Sequence, residues 1–254
     1  MVSPSPRRTF GCAARGSCWD RPRAGFRLCG SGTWQATGRY TRLAGDLDPD
    51  TVLLLYFLGN DLEDNRRFPE SRGAVYTPKV TDPPGWFTRH SALLAAGRSL
   101  LRAGALRDRD SPERTRYLRE IAPFTRTFPD VLPTVLPMTR AALTALRDAA
   151  ADQGDRLLVA VAPPAFALGR ADATFRLLGL SPADEDLDAP RQAVLRVLDS
   201  LGVAACDLSP ALQEVGAGAY YVFDGHWTAA GHAAAAGAVV GCLTGSTAPG
   251  PTIR

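Results

Sequence analysis

The chain has 254 residues, 45% of them hydrophobic, which suits one large α/β domain and is too short for two comfortable ones. No apolar run approaches the roughly 18 to 20 residues of a membrane span. The formal charge of +3 is local, since residues 1–28 hold six arginines against one acid and leave the remainder at −2; a body without a basic stripe excludes the clustered Lys and Arg that nucleic-acid binding requires.

Residues 1–28, "MVSPSPRRTFGCAARGSCWDRPRAGFRL", show neither strand alternation nor a helical period. They are expected to be a disordered or out-of-frame segment, ahead of a domain over 29–244 and a flexible tail over 245–254. A single lysine, Lys79, against many arginines suggests GC-rich coding, where a shifted frame or misassigned start yields such an Arg, Gly, Ala, Pro and Cys mixture. Cys12, Cys18 and Cys29 crowd this end, with Cys206 and Cys242 far beyond. An odd total without C-x-x-C spacing supports neither a disulfide framework nor a zinc site. No apolar core of a signal peptide is visible, so the compartment stays open.

From Asp48 the punctuation becomes regular. "VLLLYFLGNDLEDN", Val52 to Asn65, is a continuous apolar run ending in Gly59 and Asn60, and continuous hydrophobicity predicts a central strand covered on both faces. Residues 61–90, with Pro69, Pro78, Pro83 and Pro84, read as a long loop. A helix follows from Ser91, with Leu93, Leu94, Leu100 and Leu101 at helical spacing. Residues 107–137 are polar and proline-broken, and an Ala-rich helix is expected from Met138 to Gly154.

"RLLVAVAPP" from Arg156 is a second buried strand. "DATFRLLGL" and "APRQAVLRVLDSLG" are helices, and "VAACDLS" is a third strand. "SPALQEVG" is a short helix with Ser209 as N-cap and Pro210 in the first position. Asp224 to Thr228 forms a loop, and an Ala-rich helix closes the domain. Strands alternating with helices predict a parallel sheet in three layers, α/β/α, with its site at the carboxyl ends of the strands.

Two loops at that edge carry chemistry. Asn60, a neutral carboxamide after a strand and a glycine, can stabilise an oxyanion; equally, Gly-Asn is a common turn dipeptide. Asp224 and His226, two residues apart, can face one side as an acid orienting a general base; equally, Asp224 can cap while His226 packs on Trp227. Asp224, His226 and His232 match no helix-borne pair of metal ligands, so no metal is expected. No phosphate loop or dinucleotide fingerprint is present, and no cofactor is expected.

Together, "FLGNDLEDN" and "DGHWTAAGH" resemble the SGNH, or GDSL-type, hydrolases, a family of lipases, esterases and carbohydrate deacetylases with a flavodoxin-like sheet. The D-x-H form with a following "HWT" resembles a bacterial subset, and Gly32, Thr33 and Gln35 match a G-T-x-Q pattern. The resemblance implies oxyanion-hole roles for Gly59 and Asn60, and a catalytic base and orienting acid in His226 and Asp224. It implies a small-molecule or carbohydrate ester as substrate, and serine-dependent ester hydrolysis or, with the same triad, polysaccharide O-acyl transfer.

The match fails at Arg27, where the family has a glycine, and the chain contains no G-D-S. Among Ser3, Ser5, Ser17 and Ser31 none stands in a nucleophile's setting, so the nucleophile is unassigned. A non-catalytic relative that keeps the scaffold as a binding module is the other reading. Want of a proper first strand and its helix would leave an edge and a core face uncovered. Relatives of the subset are often exported or membrane-anchored.

Overall fold

A computed structural model describes residues 32–68, 104–169, 171–221 and 225–245. Residues 1–31, most of the helix expected from Ser91, Asp224 and the tail beyond 245 lie outside the described residues. Within them, three strands, β1 (Thr51–Phe57), β2 (Arg156–Ala162) and β3 (Ala204–Asp207), form a parallel sheet in the order β1-β2-β3.

The helices are α1 (Thr33–Leu47), α2 (Asp61–Arg67), α3 (Pro112–Ile121), α4 (Val131–Gln153), α5 (Ala171–Leu177), α6 (Ala189–Ser200), α7 (Ser209–Val215) and α8 (Ala229–Thr244). On one face of the sheet, Tyr56, Leu157, Val159 and Val161 pack with Leu143 and Leu146 of α4 and Val194 and Leu198 of α6. On the other, Leu158, Ala160, Ala162 and Cys206 pack with Leu212 of α7 and Ala235 of α8. The result is the expected α/β/α sandwich.

Several local expectations are corrected. Among the described residues β1 has a strand neighbour on one side only, with β2 in the middle, where a central strand was expected, and Leu53 and Leu55 remain 48% and 49% exposed. Their register partners Leu158 and Ala160 place them on the α8 side, where α7 and α8 cover β2, β3 and, of β1, its last residue Phe57. Residues 61–67 are helical rather than looped. Asp61, Glu63 and Asp64 in the first turn and Arg66 and Arg67 in the last complement the helix dipole.

The stretch 107–137 is not irregular either. Ser111 and Pro112 open α3, and α4 begins at Val131, seven residues before Met138. Pro133 lies in the first turn, where no intrahelical donor is needed, and Pro137 is tolerated inside the helix. The buried stripe of Val135, Thr139, Ala142, Leu143, Leu146 and Ala150 carries the 3.6-residue period through it.

At α7, Leu208 is the N-cap and Ser209 the first helical residue, a shift of one from expectation. Asp207 Oδ1 accepts the Ser209 N–H at 3.0 Å, so the carboxylate does the capping. Finally, Cys206 and Cys242 form a disulfide with Cα atoms 5.9 Å apart, contrary to the reading of the cysteine count. The pair is separated by 36 residues and is brought together only by packing α8 on β3.

Candidate functional site

The carboxyl ends of β1, β2 and β3 share one edge of the sheet. Leu58 prolongs the β1–β2 ladder by donating to Ala162 O at 2.9 Å, and the Asn60 N–H turns back to Phe57 O at 3.3 Å. The chain then enters α2 at once. Gly59 is buried, and a Cβ there would stand 2.5 Å from the Phe57 ring, so a side chain would displace that ring.

Asn60 is half-buried and is the N-cap of α2. An asparagine there normally accepts a backbone N–H through Oδ1, yet no such bond forms. Its Nδ2 donates instead to Asp64 Oδ2 at 2.5 Å.

The rest of "NDLEDN" fixes this turn. Asp61 Oδ2 accepts the Phe57 N–H at 2.8 Å. The fully buried Asn65 accepts the Thr33 N–H at 3.0 Å through Oδ1 and donates from Nδ2 to Thr33 Oγ1 at 3.2 Å. Gln35 Oε1 accepts the Gly32 N–H at 3.0 Å. The G-T-x-Q residues are thus the docking end of α1, clasped by α2 behind Asn60.

Burial holds the Asp61 carboxyl well above its ordinary 3.8, with the nearby Asp64 charge adding to the shift and the Phe57 N–H opposing it. A carboxyl raised in the fold favours the folded state most when protonated, and that contribution is lost as pH climbs from about 4 into the raised range. Asp61→Asn keeps an acceptor for Phe57 and cannot ionise. Its urea midpoint should exceed the parent's at pH 8 and converge on it near pH 4; a constant offset would contradict this.

The second segment is a narrow hairpin. Tyr220 and Trp227 form an antiparallel bridge, and the Tyr221 N–H donates to His226 O at 2.8 Å. Gly225 has φ +71°, a left-handed conformation that glycine adopts without strain. The Tyr220 hydroxyl donates to the carbonyl of Pro163, directly after β2, and burial pushes its pKa up to about 12. Trp227 and Phe57 pack against the same small core. The hairpin therefore stands at the sheet edge that carries Asn60, and it leaves His226 exposed.

The residues after His226 anchor the hairpin. Thr228 caps α8, its Oγ1 accepting the Gly231 N–H at 3.2 Å while donating to Gly218 O at 2.5 Å. His232 lies on α8 as expected, Nδ1 against Thr228 O at 2.9 Å and its ring edge-on to Trp227 with centroids 5.5 Å apart. Among the described residues no group of three His, Cys, Asp or Glu side chains is arranged to hold a metal.

Gly231 is where α8 meets the backbone of residues 216–219: an added Cβ would lie 2.1 Å from Ala219 O and 3.2 Å from the Trp227 Cβ. Because backbone cannot yield as a side chain does, Gly231→Ala should cost about 3 kcal/mol. Chemical denaturation would show it, and a loss under about 1 kcal/mol would mean α8 is docked differently.

A cavity of about 190 Å³ opens at the same edge, lined by Leu58, Pro163, Leu168, Arg191, Ser209 and Gln213 among others. Leu58, Pro163 and Ser209 follow β1, β2 and β3 in turn. Arg191 is held between Asp188 and Asp207, each at 2.5 Å, so its charge is already matched and the cavity offers no free cation to an anionic ligand.

A parallel α/β/α sheet with a Gly-Asn turn and a capped histidine hairpin at its carboxyl edge has the layout of an SGNH-type hydrolase domain. The family model described as SGNH hydrolase-like domain, acetyltransferase AlgX, matches residues 133–250, and this part of the chain is similar to that SGNH-type domain. The match takes in β2, β3, the His226 hairpin and α8, and the Asn60 turn precedes it. No curated protein and no solved structure matches the chain. Among the described residues, no helix is long and apolar enough to cross a membrane.

Proposed function

We propose that the chain acts on oxygen esters by acyl transfer, with His226 as general base, Asp224 orienting it, and Asn60 and Gly59 forming the oxyanion hole. What carries the reading is the exposed His226, held by a bridge and a helix cap at the edge where Asn60 ends β1. In this scheme His226 takes the proton of an attacking hydroxyl as it adds to the ester carbonyl. The carbonyl oxygen becomes negative against Asn60 Nδ2, and collapse expels the alcohol, which recovers the proton from His226. By resemblance the hydroxyl is a serine's, and that residue is unassigned.

Hydrolysis to a free acid, as by a serine esterase or carbohydrate O-deacetylase, is the first reading. A second, O-acyl transfer to a carbohydrate hydroxyl, is favoured by the acetyltransferase in the matched family's description. A cavity of about 190 Å³ is below the usual range for drug-sized ligands and suits a short acyl group or one sugar ring. The test is release of p-nitrophenol from p-nitrophenyl acetate by the parent and by His226→Ala, with and without an oligosaccharide acceptor. Faster release with acceptor, and acetyl found on the sugar, select transfer over hydrolysis. Equal rates for parent and variant overturn the enzyme reading and leave a binding module.

A further inference from the structure

We propose that Asp64 is a positioning residue that fixes the Asn60 carboxamide with its NH2 group, not its oxygen, available to an oxyanion; this rests on the acyl-transfer reading above. Asn60 stands where its residue type ordinarily caps a helix through Oδ1, and it does not cap α2. What it does is donate from Nδ2 to Asp64 Oδ2 at 2.5 Å, one helical turn on.

An ionised carboxylate only accepts, so it selects one of the two flipped states of a carboxamide, the one with nitrogen towards it. One Nδ2 hydrogen is committed to Asp64 and the second is left to serve as oxyanion donor. Without Asp64 the amide can rotate to cap α2 or present Oδ1, whose lone pairs would repel the developing negative charge.

A carboxylate beside an oxyanion donor brings a like charge, and the surroundings offset it. Arg67 on α2 and Arg116 on α3 act on Asp64 from two elements, against the acids Glu63 and Asp61 of its own helix. Gly32, the N-cap of α1, lies close enough that a Cβ in its place would come within 3.1 Å of the Asp64 Cβ. Asp64 is thus close to α1 and balanced by two guanidinium charges. Burial raises its pKa above the ordinary 3.8.

The side-chain amide of Asn60 can be read directly by NMR in the full chain, identified as the NH2 pair missing from Asn60→Asp. In the parent one proton of that pair should be shifted downfield by the carboxylate, and the pair should titrate above pH 4. In Asp64→Ala the downfield shift and the titration should vanish. The kcat for p-nitrophenyl acetate should fall about tenfold at nearly constant KM, less than the 10²- to 10³-fold cost of losing an oxyanion donor outright.

Asp64→Asn, which keeps shape but offers its own NH2, should show the same loss of titration, and serves if the alanine variant unfolds. Asp64→Glu should restore part of kcat. An amide pair indifferent to Asp64, or a kcat unchanged in folded Asp64 variants, overturns the proposal. A parent as slow as His226→Ala overturns the acyl-transfer reading and with it any catalytic role for Asp64, while the amide signal still decides what orients Asn60.

Discussion

Alanine at position 226 should lower kcat for p-nitrophenyl acetate by on the order of 10⁶, the cost of removing the histidine of a serine-protease triad. Asn60→Ala should cost on the order of 10² to 10³. The two differ because their groups do different work. Loss of the base leaves the attacking hydroxyl protonated and spoils both halves of the reaction, while loss of one hydrogen-bond donor removes part of the stabilisation of a single charge.

Stability should rank them the other way. His226 is exposed, and truncating an exposed side chain shifts stability little, so His226→Ala should melt close to the parent. Asn60→Ala strips the half-buried Asp64 of its donor, and a carboxylate left without its partner costs about 1 to 3 kcal/mol. Steady-state kinetics and thermal melts on the same preparations check both orders. An unfolded His226→Ala, or a kcat loss under tenfold, would count against a base at this position.

The fold class was legible because the chain's apolar runs and helix punctuation alternate cleanly. β2 was expected from Arg156 and found there, and the Ala-rich helix expected after the Asp224 to Thr228 loop begins at Ala229. What misled were rules of composition applied without tertiary context. Val52 to Leu58 is apolar throughout, yet among the described residues Leu53 and Leu55 lie on an edge strand whose α8-side face is covered only at Phe57. Pro133 and Pro137 look like helix breakers, but the buried stripe from Val135 to Ala150 outweighs one missing hydrogen bond.

The candidate site was legible as residue types and not as contacts. Asn60 and His226 could be singled out because both fall at the carboxyl edge of the sheet and together resemble one family's pattern, although each alone also reads as a turn or a cap. Asp64 and Asn65 could not, since two polar residues in a short acidic stretch look like a solvated turn. Only folding shows that one aims the Asn60 amide and the other clasps Thr33, 32 residues away. Likewise "WTAAGH" reads as a motif attached to His226 and proves to be its mount: Trp227 bridges, Thr228 caps, and Gly231 lets α8 approach Ala219.

Reduction of the Cys206–Cys242 disulfide should destabilise the protein by about 4 kcal/mol, the chain-entropy value for a closed loop of 36 residues. The bond adds to the packing of Ala238, Val239 and Leu243, which are only partly buried against the core. Of its 16 residues only Gly231 and Ala235 are buried, both in its first half, and a helix this rich in alanine offers little apolar surface. Cys242 ties the second half to β3, while the Thr228 cap holds the first half and, through the hairpin, His226. Cutting the tie should therefore loosen residues 229–244 first, and turnover should fall at reductant concentrations that leave the opposite face of the sheet folded. Alkylation of the unfolded, unreduced chain should leave Cys206 and Cys242 unmodified, and denaturation curves with and without reductant give the stability difference. Cys242→Ser should match the reduced parent. Alkylation of Cys206 and Cys242 without reductant, or superimposable curves, would show that α8 is held by packing alone.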